Sequence, residues 1–253
     1  MDQLLIALDV ESAAKALALA DSLLGIAGGF KIGSRLFTSE GPSIVRALVD
    51  KGDRVFLDLK FHDIPNTVAQ AVAAATSLGV WMVNVHASGG TKMMQAAGEA
   101  SREAATRAGT TPPLVIGVTV LTSMTAETLA ETGCGQSADD PGSGVRGAES
   151  VMDRVVRLAQ LTMAAGLDGV VASPLETPSI RDCCGEEFAI VTPGIRRGGA
   201  GQDDQARTMS AGEAIAAGAT YIVVGRPIIA AADPRAAAEA IVEEAGRARM
   251  ADC

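Results

Sequence analysis

Eight short apolar runs, each followed by a stretch of helical periodicity, set the rhythm of this chain and limit the folds open to it. The runs occupy residues 4–10, 30–33, 54–60, 81–87, 114–120, 169–173, 189–195 and 221–227. They are β-branched and apolar almost throughout rather than alternating, the pattern of strands buried on both faces and so of a parallel sheet. Between them lie Ala-rich amphipathic segments at 11–24, 36–50, 66–78, 90–108, 147–165 and 234–248. Eight such strands with intervening helices in 253 residues fit an α/β fold closed into a single (β/α)8 TIM barrel better than an open sheet. No linker-like stretch divides the chain, so residues 1–253 read as one barrel domain. Seven aromatic residues suffice, because Ala- and Gly-rich helices pack closely against a barrel.

Two intervals interrupt the rhythm. Residues 122–144 form a long insertion after the fifth run, and 196–205 a short Gly-rich stretch after the seventh. Both follow the C-terminal ends of strands, where barrels place active sites and lids. A solvated loop is the plain alternative for each.

Thirty acidic against 21 basic residues leave a formal charge of −9. That balance excludes sequence-independent binding to nucleic acid, which needs a basic face. It still allows a small anion held by a few well-placed cations. The first residues carry no export signal and no run reaches the ~18 apolar residues of a membrane span, so no membrane partner and a cytoplasmic location are expected. Cys134, Cys183, Cys184 and Cys253 lack metal-ligand spacing, and only His62 and His86 could join them. Free thiols in a reducing compartment follow, since an adjacent Cys183–Cys184 disulfide would be strained. Met1 and the polar C-terminus point to an independent chain rather than a piece of a fusion.

Charged residues at the ends of apolar runs are the clearest anomaly. Asp9 ends the first run, Lys31 lies in the second, Asp58 and Lys60 end the third, and Asp63 follows on the turn. Two residues apart, an extended Asp58 and Lys60 point the same way. Their apolar neighbours Leu57, Leu59 and Phe61 exclude water and strengthen charge–charge effects. With Lys31 approaching from the adjacent strand, Asp58-x-Lys60-x-x-Asp63 makes an alternating cluster that holds several charges in a dry pocket. It also sets a cationic acid beside a carboxylate that repels an anion. An ion-pair network tying strands together is the alternative, and four charges on adjacent strand ends favour the functional reading.

A second constellation suits phosphate. Gly194 and Arg196 end the seventh run, and Gly225 and Arg226 the eighth. Barrels commonly bind phosphate in the loops after these two strands, through backbone N–H groups and cationic forks. The glycines permit close backbone approach, and Gln205 could close over the bound group. Pairing of the arginines with carboxylates on the rim is the alternative. His86 ends the fourth run as a ligand contact or a hydrogen-bonded structural residue. Thr122 and Ser123 offer hydrogen bonds to a polar ring, or ordinary cap chemistry.

These residues resemble orotidine 5′-phosphate decarboxylases nearly end to end. The likeness runs from Leu5-Ile6-Ala7-Leu8-Asp9 through Phe30-Lys31-Ile32-Gly33 to Val223-Val224-Gly225-Arg226-Pro227. Its most specific piece is Phe56-Leu57-Asp58-Leu59-Lys60-Phe61-His62-Asp63-Ile64-Pro65-Asn66-Thr67. The later segments Val118-Thr119-Val120-Leu121-Thr122-Ser123 and Val191-Thr192-Pro193-Gly194-Ile195-Arg196 also fit. The resemblance implies decarboxylation of orotidine 5′-monophosphate, with Lys60 as proton donor to C6 in a Lys31-Asp58-Lys60-Asp63 tetrad. It implies that Asp9 and Lys31 hold the ribose, that Thr122 meets the base, and that Arg196, Gln205, Gly225 and Arg226 grip the phosphate. It further implies a homodimer in which Asp63 and Thr67 reach the neighbouring subunit, with no metal and no organic cofactor. The nearest rival is the hexulose-phosphate synthase and ketogulonate-phosphate decarboxylase group, which uses Mg²⁺ and has an acidic metal ligand where this chain has Lys31. A non-catalytic sugar-phosphate or nucleotide-binding barrel is the rival of another class.

Overall fold

All eight apolar runs become strands, each pairing in parallel with the next and the last with the first, so that the sheet closes into a barrel in the order β1 to β8. This is a computed structural model, and it describes residues 2–132, 150–196 and 209–251. The strands are β1 (Leu4–Ala7), β2 (Gly29–Gly33), β3 (Val55–Phe61), β4 (Met82–His86), β5 (Leu114–Val118), β6 (Gly169–Val171), β7 (Ala189–Thr192) and β8 (Tyr221–Val224). Around them lie α1 (Ala13–Ser22), α2 (Ser34–Glu40), α3 (Pro42–Val49), α4 (Pro65–Ser77), α5 (Thr91–Ala108), α6 (Ala126–Glu131), α7 (Val151–Ala164), α8 (Thr177–Cys184), α9 (Ala211–Ala216), α10 (Arg226–Ile229) and α11 (Pro234–Ala251). Strand alternation divides the apolar residues into two cores. Leu5, Phe56, Met82, Ile116, Val191 and Val223 fill the barrel, while Leu4, Ile6, Ile32, Leu57 and Val83 face the helices.

The departures from the sequence reading have local causes. Six runs overshoot their strands at the C-terminal end: β1, β4, β5, β6, β7 and β8 stop at Ala7, His86, Val118, Val171, Thr192 and Val224. Val120 and Ile195 remain buried there, so apolar burial persists where ladder pairing has ceased. Asp9 therefore lies two residues beyond β1 rather than at its end. The segment 36–50 is two helices, because Gly41 turns the chain at φ +67 and Pro42 opens α3. Helices α8 and α9 are too short for the periodicity to reveal. The start read for the helix at 147 lies outside the described residues; α7 begins at Val151 behind a Ser150–Asp153 capping box.

The insertion carries α6, and its residues 133–144 lie outside the described part, as do residues 197–205 of the Gly-rich stretch. Cys183 and Cys184 are free, with their Sγ atoms 3.5 Å apart, and burial together with Cys183 pushes the Cys184 thiol up to about 12. Cys134 and Cys253 are outside the described residues. Among the described residues no helix is long and apolar enough to cross a membrane.

Candidate active site

The C-terminal strand ends open on a cavity of about 260 Å³. One side carries Asp9, Lys31, Asp58 and Lys60, from β1 through β3. The floor is apolar, built by Phe56, Val118, Val171, Val191 and Val223. The other side carries Gly194 and Arg196 after β7 and Gly225 and Arg226 after β8, and Thr122 closes the rim after β5. An anionic ligand with a flat middle and two polar ends fits such a division of charge.

The charged side is a row of alternating sign. Lys31 Nζ lies 3.3 Å from Asp9 Oδ1 and 3.3 Å from Asp58 Oδ2, and Lys60 Nζ lies 2.6 Å from Asp58 Oδ1. Side-chain exposure falls from 51% at Asp9 to 11% at Lys31 and 12% at Asp58, so the middle pair is dry. Burial pushes the Asp58 carboxyl up. The ammonium groups of Lys31 and Lys60, with hydrogen bonds from Lys60 and Asn84, outweigh burial and hold it below the usual carboxylate value. Asp58 is thus an anion clamped between two lysines, and the Lys60 side chain lines the cavity above its apolar floor.

Lys60 does not sit on a regular strand. Leu57 pairs with Val83 and Phe61 with Val85, so β3 advances four residues while β4 advances two. Within this bulge Lys60 takes φ +53, the one positive φ at a non-glycine among the described residues. A left-handed L-residue costs roughly 1–2 kcal/mol, a strain characteristic of functional positions. The convergence of Asp58 and Lys60 therefore comes from the bulge and not from the extended geometry that the two-residue spacing suggests.

Asp63 stands apart from this row. It is exposed, and its Oδ1 accepts from the Ile64 N–H at 2.6 Å. Within one chain the four-membered row is Asp9-Lys31-Asp58-Lys60, and Asp63 lies on the turn beyond it. Thr67, in the first turn of α4, is likewise exposed and away from the cavity. Gln205 lies outside the described residues. His86 does not line the cavity; its ring lies 5.4 Å from that of His62, and burial, then His62 and Lys60, hold it below the usual imidazole value.

A sequence model of the orotidine 5′-phosphate decarboxylase / HUMPS family matches residues 2–241. The chain belongs to this family. It is 54% identical to the orotidine 5′-phosphate decarboxylase of Syntrophotalea carbinolica, over 96% of this chain and 94% of that one. It is 49% identical to the decarboxylase of that name from Moorella thermoacetica, over 96% and 92%. Among solved structures, the orotidine 5′-phosphate decarboxylase of Lactobacillus acidophilus superposes with a TM-score of 0.79 at 33% identity, over 96% of this chain and 98% of that one.

Two residues that shape the charged row escaped the sequence reading. Gly33 ends β2, where a Cβ would stand 3.0 Å from Lys31 Nζ and 3.4 Å from Asp9 Oδ1. A side chain there would press on that pair and displace it by a few tenths of an ångström. Asn84, fully buried on β4, hydrogen-bonds both Asp58 and the Lys60 backbone. Its signal was present in the run Trp81-Met82-Val83-Asn84-Val85-His86, as a polar residue in phase with inward-facing Met82.

Proposed function

We propose that this chain converts orotidine 5′-monophosphate to uridine 5′-monophosphate and carbon dioxide, the last step of de novo UMP synthesis, with Lys60 protonating C6 and without metal or organic cofactor. The chain is a carboxy-lyase of the orotidine 5′-phosphate decarboxylase family. The observation that carries the mechanistic reading is the Asp9-Lys31-Asp58-Lys60 row facing two arginines across a cavity with an apolar floor.

The chemistry follows from that division. The C6–carboxylate bond breaks, carbon dioxide leaves, and the electron pair stays at C6. A fixed ammonium above the apolar floor stabilises this charge and then gives C6 its proton; water returns a proton to Lys60 afterwards. Asp58 orients the Lys60 side chain, and as a buried anion it disfavours the substrate carboxylate. Asp9 and Lys31 bind the ribose hydroxyls and Thr122 the base. Arg196, Gln205, Gly225 and Arg226 bind the phosphate, whose remote binding energy orders the site around the reacting carbon.

The family name also covers sugar-phosphate chemistry that depends on a divalent cation. Lys31 Nζ stands midway between Asp9 and Asp58, at 3.3 Å from each, and an ammonium there repels a hard cation seeking those oxygens. The decisive experiment is a spectrophotometric assay with orotidine 5′-monophosphate, with and without EDTA. Turnover unaffected by EDTA is expected; loss of turnover restored by Mg²⁺ overturns the metal-free reading, and no turnover at all overturns the activity.

The working form in this reading is a cytoplasmic homodimer in which Asp63 and Thr67 complete the neighbouring subunit's site. Exposed Asp63 and Thr67 support it, together with Ile64 between them at 66% exposure. Mixing equal amounts of Asp63→Ala and Lys60→Ala protein should restore about a quarter of wild-type activity, since about half of the dimers are then hybrids and one of the two sites in each hybrid is intact. No recovery after proven subunit exchange breaks the shared-site reading.

A further inference from the structure

We propose that Asn84 is the positioning residue of this site, its amide setting both the orientation of the Asp58 carboxylate and the backbone conformation of Lys60. The inference rests on the catalytic reading of the Asp58–Lys60 pair.

Asn84 occupies a place where an apolar residue would ordinarily fill the barrel. Along β4, Met82 and Asn84 point inward while Val83 and Val85 face the helices. Asn84 is 0% exposed and does not line the cavity, so substrate does not touch it. A buried amide costs free energy unless both ends are hydrogen-bonded. Here both ends are engaged by the same catalytic pair. Nδ2 donates to Asp58 Oδ1 at 2.7 Å, and Oδ1 accepts from the Lys60 N–H at 2.8 Å. The carboxylate only accepts and the backbone N–H only donates, so the partners dictate which end of the amide faces which.

The second bond explains how the bulge persists. Where β3 runs four residues against two of β4, a backbone N–H of β3 loses its ladder partner. The Lys60 N–H is that group, and the Asn84 side chain replaces the missing carbonyl. One amide therefore satisfies the donor released by the bulge, holds Lys60 at φ +53, and turns Asp58 Oδ1 toward the Lys60 ammonium. The charged or titratable groups around it are Asp58, Lys60 and Lys31 from β3 and β2, and His86 with His62 beyond it. On β5 the residue opposite Asn84 is Ile116.

The test uses two variants of the full-length enzyme, with turnover of orotidine 5′-monophosphate and binding of uridine 5′-monophosphate as readouts. Asn84→Ala should lower kcat by about 100-fold, the effect of misplacing a reacting group by about 1 Å. KM and product affinity should stay within about threefold, because the phosphate and ribose contacts lie elsewhere.

Asn84→Asp keeps the shape and adds a switch. Its protonated carboxyl accepts from the Lys60 N–H and donates to Asp58, as the amide does. Ionised, it sets a second carboxylate against Asp58, and the pair holds one proton until the pH rises. The activity of Asn84→Asp relative to wild type should therefore increase at least about tenfold as pH falls from 8 to 5, while the Asn84→Ala ratio stays flat. Melting temperatures and product binding at each pH separate this effect from unfolding, and the Asp variant serves as its own control where the Ala variant does not fold. Wild-type kcat in both variants, or a pH-independent Asn84→Asp ratio, overturns the inference. Inactive wild type overturns the functional reading instead.

Discussion

At the N-terminal floor of the barrel, Arg181 of α8 gives its guanidinium to the main chain. It donates to the carbonyls of Gly185, Glu186, Phe188 and Gly218 and to Thr220 Oγ1, fastening the approaches to β7 and β8. Nearby, Asp168 accepts from the Val115 N–H at 2.7 Å, and Trp81 meets Tyr221 edge to face with centroids 5.1 Å apart. At the mouth, by contrast, Lys31, Asp58 and Lys60 are bonded chiefly to one another and face an open cavity. Charge on the floor satisfies backbone groups that folding has taken from water. At the mouth the same kind of charge is gathered, partly dry, and left facing where a ligand sits. Floor and mouth variants should therefore fail in different ways.

The largest effect belongs to the mouth. Lys60→Ala should cut turnover by about 10⁴-fold or more, since it removes both the proton donor and the charge that stabilises the carbanion. Uridine 5′-monophosphate binding should remain measurable, and turnover within tenfold of wild type sinks the role of Lys60. Lys60→Gly should be equally inactive yet more stable than Lys60→Ala by about 1 kcal/mol, because glycine adopts the left-handed conformation without strain. Identical melting curves for the two would show that the bulge stores no such strain.

The floor provides the opposite outcome. Arg181→Ala removes the donor from the part-buried carbonyls of Phe188 and Gly218 and should cost about 2 kcal/mol of stability, or roughly 4–8 °C in Tm. Turnover per folded molecule should stay within about twofold. A large fall in kcat at unchanged Tm would erase the distinction between the two ends.

Acid separates the ends further. Asp58 has a pKa below its unfolded value, so it stabilises the fold above pH ~4 and loses that contribution as pH falls through its folded value. Thermal stability of wild type should thus drop more steeply below pH ~4 than that of Asp58→Asn; equal acid slopes contradict the clamp between Lys31 and Lys60. The smallest effect is expected at Gly33→Ala. Its φ of −92 tolerates alanine, so the fold should hold, but the Cβ presses on Lys31. A three- to tenfold loss in kcat/KM is expected from a displacement of a few tenths of an ångström, with Tm nearly unchanged.

Much of the mouth was legible in the chain because charged residues stand out at the ends of apolar runs. Asp9, Lys31, Asp58, Lys60, Thr122, Arg196, Gly225 and Arg226 all border the cavity that the strand ends enclose. Asp63 was legible as a turn residue beyond the row, and within its own chain it accepts from the next backbone N–H. Gly33 gave no sign, and Asn84 only that of a polar residue inside an apolar run, because what matters is Lys31 and Asp9 beside the one and Asp58 and Lys60 beside the other.

The order and number of the strands, the parallel sheet and the two charged sides of the mouth were determined by the sequence itself. Periodicity and residue type are local properties, and a run buried on both faces admits few other fates. The register between β3 and β4 was decided only in the tertiary structure. It depends on how two strands 25 or so residues apart align, and no local pattern records it. From that register come the bulge, the left-handed Lys60 and the 2.6 Å contact with Asp58, because a backbone that slips out of step must find a side chain, here Asn84, to take the bond its neighbour no longer offers.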